Sequence, residues 1–187
     1  MIVIGYQGIG KTTICKDNPR YIDFESSALK VNGERPADWF IPYCQIAIAL
    51  SKQGYVVFTA SHKEVREYLK DCGEYCVSIV PAENLREEWL EMLRGRAFTS
   101  GLQKDEVAYL NAQERYEENI NEIKDSAEHL VELSHMRYDL KEIIWECGED
   151  EKDMLIKKLD RTAEEIQRQQ EEVRRLNEQI KKLKKLP

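Results

Sequence analysis

The 187-residue chain has only five cysteines and three histidines, and neither set is arranged to ligate a metal. Cys72 and Cys76 form a lone C-x-x-x-C pair, and no His-x-x-x-His follows them to complete a zinc site. An odd number of unpatterned cysteines argues against a disulfide framework, so a reduced, cytoplasmic chain is expected. No run of 18 apolar residues occurs, which excludes a conventional membrane-spanning helix. Met1 leads into an apolar segment without a basic stretch, so no secretory leader is expected. Low-complexity segments are absent.

Charge is unevenly spread. Residues 151–187 carry 11 Lys and Arg against 8 Asp and Glu, while residues 1–150 carry 17 against 27. An acidic body disfavours a nucleic-acid-coating protein, because phosphate backbones are held mainly by Lys and Arg. The weakly basic tail reads as a solvated helix face.

Apolar β-branched runs alternate with helix-compatible stretches along the first 145 residues. Strands are expected at residues 1–4, 21–24, 55–60, 75–80 and 130–133. Helices are expected at about 11–16, 39–52 (capped by Asp38, with Pro42 in its first turn), 63–71, 83–93, 104–124 and 140–145. A loop is expected over residues 28–37. The alternation predicts βαβ crossovers and a mostly parallel five-stranded sheet in a three-layer α/β/α domain, about residues 1–146. Ligands in such sheets bind beyond the carboxyl ends of the strands. After a break at residues 146–150, a seam of Leu155, Leu159, Thr162, Ile166, Gln169, Val173, Leu176, Ile180 and Leu183 advances in steps of four and three. That heptad pattern predicts a helix over 151–186 that forms a coiled coil, with a homodimer as the expected assembly.

The specific motif is Gly5-Tyr6-Gln7-Gly8-Ile9-Gly10-Lys11-Thr12, a complete G-x-x-x-x-G-K-[ST] P-loop between an expected strand and an expected helix. Glycines let backbone N–H groups curl around phosphate oxygens, and the following helix turns its positive end to the same place. Gly5, Gly8, Ile9, Gly10, Lys11, Thr12 and Thr13 are the expected nucleotide cradle. Lys11 would reach the β- and γ-phosphates, and the Thr12 hydroxyl is the expected Mg²⁺ ligand.

Other polar clusters follow other strands. Asp23 and Glu25 form D-x-E after the second strand, suited to an acceptor hydroxyl or to the hydration shell of Mg²⁺. Ser61, Lys63 and Arg66 follow the third strand, which lacks a terminal Asp, and are candidates for holding an anionic acceptor. Arg94 and Arg96 flank Gly95 where the fourth helix is expected to break, as in a lid that closes on a transferred phosphoryl group. Their plain alternatives are loop acids and exposed helix charges. His129 and His135 flank the fifth strand and suit solvent contact or nucleobase-loop packing rather than metal ligation. Trp39, Trp89 and Trp145 read as core or rim aromatics.

Taken together, residues 1–145 resemble P-loop small-molecule and nucleotide kinases. They are similar to the gluconate and shikimate kinase group and to small nucleotide-kinase-like proteins of phages and bacteria. The resemblance implies ATP and Mg²⁺ held by Lys11 and Thr12, Asp23 at the acceptor, Arg66 holding the acceptor, and Arg94 and Arg96 in the lid. It implies transfer of the γ-phosphoryl of ATP to a small acceptor, with a nucleoside or nucleotide favoured. A second reading stays open: an NTP-binding switch or assembly module with slow turnover, acting through its coiled coil.

Overall fold

A computed structural model describes residues 1–30 and 32–183. Val31, in the loop expected over 28–37, and residues 184–186 of the expected tail helix lie outside the described residues. The chain forms two compact units, residues 1–144 and 145–187.

The first unit is an α/β fold on a parallel sheet. Its strands are β1 (Ile2–Gly5), β2 (Tyr21–Asp23), β3 (Val56–Thr59), β4 (Cys76–Pro81) and β5 (His129–Leu133), in spatial order β2-β3-β1-β4-β5. Its helices are α1 (Lys11–Asp17), α2 (Phe40–Lys52), α3 (Lys63–Asp71), α4 (Arg86–Ser100), α5 (Gln103–Ser126) and the first turns of α6 (Leu140–Leu183). All four residues of β1 are buried, which requires cover on both faces because successive side chains point opposite ways. On one face Ile2 and Ile4 pack with Tyr43 and Cys44 of α2 and with Val65 and Leu69 of α3. The connection β1–α1–β2 steps past β3, whereas β3–α3–β4 steps past β1 in the opposite direction. Right-handed crossovers therefore put α1 and α3 on opposite faces, and β1 and β3 flank the switch point where a crevice opens.

Three local expectations fail for physical reasons. Asp38 does not cap α2; residues 37–39 form a turn, with the Trp39 N–H donating to the Pro36 carbonyl at 3.2 Å, and the helix starts at Phe40. The helix does not break at Arg94-Gly95-Arg96. An interior glycine costs a helix only about 1 kcal/mol, and the real stop is Gly101, left-handed at φ +61°, whose N–H returns to the Ala97 carbonyl at 3.1 Å. Likewise α6 passes unbroken through residues 146–150, Gly148 included. Trp145 is exposed, unlike Trp39 and Trp89, which are buried.

The second unit is helical. Its seam residues Leu155, Leu159, Ile166, Val173, Leu176 and Ile180 all remain about half exposed or more. None of the five cysteines is paired. Among the described residues no helix is long and apolar enough to cross a membrane.

Candidate functional site

The loop after β1 is built by close contact. Gly8 (φ +94°) and Gly10 (φ +93°) hold left-handed conformations that cost a side-chain-bearing residue about 1–2 kcal/mol. A Cβ on Gly5 would come within 2.3 Å of Ile9 Cδ1, and one on Gly8 within 2.8 Å of Met92 and 3.0 Å of the Trp89 indole nitrogen. That indole, fully buried in α4, donates to the Gln7 carbonyl at 2.9 Å. The loop is thus clamped from behind by α4 while its front stays open.

The front is a cleft of about 690 Å³, within the roughly 300–1,000 Å³ typical of small-molecule sites. Its walls come from the exits of β1, β2 and β3 and from the α4–α5 hairpin. Gly8, Gly10, Lys11, Thr12 and Thr13 line it, as do Asp23, Glu25 and Arg96. Lys11 donates its ammonium to the Gly5 carbonyl at 3.0 Å. Burial pushes the Lys11 pKa below the usual lysine range, and the nearby Asp23 and Glu25 oppose that shift. A poorly solvated cation of this kind has little water to shed when an anion arrives.

The Thr12 hydroxyl donates to the Asp23 carboxylate at 2.6 Å. One strand separates the backbones, since β3 lies between β1 and β2. The exit of β2 is fixed by Tyr43, whose hydroxyl donates to the Phe24 carbonyl and accepts the Ala60 N–H at 2.8 Å. Its ring stacks on Phe24 at 4.5 Å. Burial raises the Tyr43 pKa, keeping that hydroxyl neutral and able to donate.

Among the described residues no cluster of three or more His, Cys, Asp or Glu forms a metal-ligating set. One hydroxyl and one carboxylate, Thr12 and Asp23, suit a hard cation that keeps most of its waters, as Mg²⁺ does. The glycine loop, where added Cβ atoms meet neighbours, and the adjoining ammonium suit a polyphosphate.

Besides the expected Arg96, the α4–α5 hairpin supplies residues that carry no signal in the sequence. Arg96 pairs with Asp105 at 2.9 Å, and Lys104 approaches Glu25 at 3.6 Å across the cleft. Met92, Leu102 and Ala108 complete that wall. Lys104 and Asp105 read as ordinary helix charges until the turn at Gly101 folds α5 back along α4.

Several expected residues lie elsewhere. Arg66 is buried and committed: it donates to the Ser61 carbonyl and, at 2.7 Å, to the Ser126 hydroxyl, and lies 3.7 Å from Glu122. It ties α3 to α5 and does not line the cleft. Ser61 and Lys63 are also outside the lining; Lys63 is exposed beside Glu67. Arg94 is exposed beside Glu91, because the unbroken helix turns positions 94 and 96 to different sides. Gly5 and buried Ile9 support the loop from beneath. No protein-family model matches the chain, and neither the curated proteins nor the solved structures contain a significant match.

Proposed function

We propose that this chain is a P-loop phosphotransferase that binds Mg²⁺ and ATP in the cleft and moves the γ-phosphoryl group to a small acceptor, a nucleoside or nucleotide. The observation that carries the reading is the convergence on one cleft of the glycine loop with Lys11, the Thr12–Asp23 pair and Arg96. ATP supplies the phosphoryl group, and the metal supplies charge that offsets its oxygens. Lys11 neutralises phosphate charge from the loop side, and Arg96 from the hairpin side. The Thr12 hydroxyl, oriented by Asp23, presents its lone pairs to a cation. The hairpin excludes water once its two ion pairs rearrange around a ligand. The acidic body and the intracellular character of the cysteines fit a small-molecule substrate in the cytoplasm.

A switch or assembly module is the second reading. It is favoured by the half-exposed seam of α6 and by Thr59, which stands at the exit of β3 where a hydrolytic motor would use a carboxylate. In either case the tail is proposed to pair with a second copy. Calorimetry with the magnesium-bound β,γ-methylene analogue of ATP tests the nucleotide site. Lys11→Ala is expected to lower affinity at least about 100-fold with the fold unchanged, since it removes a poorly solvated charge and a charge-assisted contact. Unchanged affinity would remove the central claim. A coupled ADP-release screen over nucleosides, nucleotides and sugar acids then separates kinase from switch.

A further inference from the structure

The second unit leaves an apolar seam in contact with water. Leu155, Leu159, Ile166, Val173, Leu176 and Ile180 are about half exposed or more, and so is Ile156 beside them. In the heptad, Leu159, Ile166, Val173 and Ile180 occupy position a, and Leu155, Thr162, Gln169 and Leu176 occupy position d. Because α6 runs unbroken, the same phase reaches back two heptads from Leu159 to Trp145, which is also exposed. Largely β-branched residues at a, with leucine among the d residues, suit two parallel strands.

The two polar seam residues differ. Thr162 donates its hydroxyl to the Lys158 carbonyl of its own helix at 2.9 Å, so that group is satisfied before any partner arrives. The Gln169 amide carries donors and an acceptor that need a partner once the seam closes. Two copies aligned parallel and in register set Gln169 against Gln169, where the amides satisfy each other. A parallel pair slipped by one heptad sets it against Thr162 or Leu176. An antiparallel pair overlapping residues 155–180 sets it against Ile166 and buries both amides without partners, which is costly.

The flanking charges favour the same alignment. In a parallel pair each g position faces an e position of the other strand. Here g holds Lys158, Glu165 and Glu172, and the facing e positions hold Ala163, Gln170 and Asn177, so no like charges meet. In the antiparallel pair g faces g, and Glu165 opposes Glu172 on both sides of the centre.

We propose that the seam takes a second copy of this chain, parallel and in register, and that Gln169, Glu165 and Glu172 set the alignment. The alignment rests on the pairing of tails proposed above and adds its direction, its register and the residues that fix them. Both chains then enter the coil at the same end.

Sedimentation equilibrium of the full chain should show a dimer. Leu155→Cys and Leu176→Cys, oxidised with glutathione disulfide, should each yield a covalent dimer, since a disulfide needs Cα atoms within about 7 Å. The native chain, whose five cysteines are unpaired, is the control. A mixture of Leu155→Cys and Ile180→Cys chains, tagged to differ in mass, should yield no disulfide between positions 155 and 180. Adding Glu165→Lys and Gln169→Leu to both chains removes the amide conflict and makes the 165–172 contact attractive, so that product should then appear. A chain that is monomeric at every concentration, or that pairs only with a different protein, overturns this proposal and the pairing of tails together. A dimer in which Leu155→Cys and Leu176→Cys stay uncrosslinked, or in which the mixed product forms, overturns the alignment and leaves pairing standing. Strictly parallel products from the chains carrying Glu165→Lys and Gln169→Leu would overturn the role given to those residues. Affinity for the magnesium-bound ATP analogue should match the native chain throughout, so the cleft is judged separately by calorimetry.

Discussion

Gly8 and Gly10 differ in one way that can be measured. Both are left-handed, at φ +94° and +93°, so alanine at either position pays about 1–2 kcal/mol for its conformation alone. At Gly10 nothing more is added, because the nearest atom to a new Cβ is Leu140 Cδ2 at 3.9 Å, an ordinary contact. At Gly8 the new Cβ would stand 2.8 Å from Met92 Cε, 3.0 Å from the Trp89 indole nitrogen and 3.1 Å from Leu93 Cδ2. Met92 is flexible and can swing aside. Trp89 and Leu93 are fully buried, and the indole is held by Gln7, so the loop must move instead. Overpacking of this kind adds about 1–3 kcal/mol. Gly8→Ala should then cost about 2–5 kcal/mol against about 1–2 for Gly10→Ala. For a chain of this size each kcal/mol lowers Tm by roughly 2–4 °C. Circular-dichroism melts of the full chain should place Gly8→Ala clearly below Gly10→Ala, and nucleotide affinity should fall with it because the loop is displaced. Equal melting losses would refute the claim that α4 clamps the loop.

Arg66→Ala should lower stability by about 2–3 kcal/mol, the value of hydrogen bonds to a buried charge, with the partly exposed Glu122 adding little; chemical denaturation measures it, and a pure acceptor KM effect without loss of stability would contradict the buried placement. Asp23→Asn should weaken the magnesium dependence of nucleotide binding roughly 10-fold or more, since it removes the charge that orients Thr12 at 2.6 Å; a magnesium titration at fixed analogue concentration reports it, and an unchanged midpoint would defeat the role. A chain ending near Asp150 should be monomeric where the 187-residue chain is dimeric, because it lacks the half-exposed Leu155, Leu159, Ile166, Val173, Leu176 and Ile180 that would pair; identical oligomeric states by light scattering would sink the dimer.

What could be read from the residues alone is what local chemistry determines. The five strands were legible because buried parallel strands are apolar and β-branched, and their helices because glycine and proline punctuate them. The glycine loop was legible because its pattern is written in consecutive residues. The hairpin was not. Gly95 looks like the stop between two arginines, yet nothing lies near it to enforce a turn, whereas Gly101 takes the left-handed conformation that ends α4. That shift of one glycine decides that Arg96 faces the cleft, that Arg94 does not, and that Lys104 and Asp105 join the site. Arg66 misled for a similar reason. Its partners Glu122 and Ser126 lie about sixty residues away, and no local rule reveals that α5 passes alongside α3.

The sheet order explains how the site manages without a carboxylate at the exit of β3. Asp23 leaves β2, which is not a neighbour of β1; with strands about 4.8 Å apart, the two exits are separated by close to 10 Å. Thr12 and Asp23 nonetheless meet at 2.6 Å, in a cleft that Thr59 and Ala60 at the end of β3 also line. Among the described residues the buried Thr59 hydroxyl has no partner, a polar atom lining the cleft for solvent or ligand to satisfy. An acid at that position would set two like charges against each other with one threonine hydroxyl between them. In this chain the carboxylate that meets Thr12 comes from β2, while β3 ends in the neutral Thr59 and Ala60, so no second acid from β3 competes for the same hydroxyl.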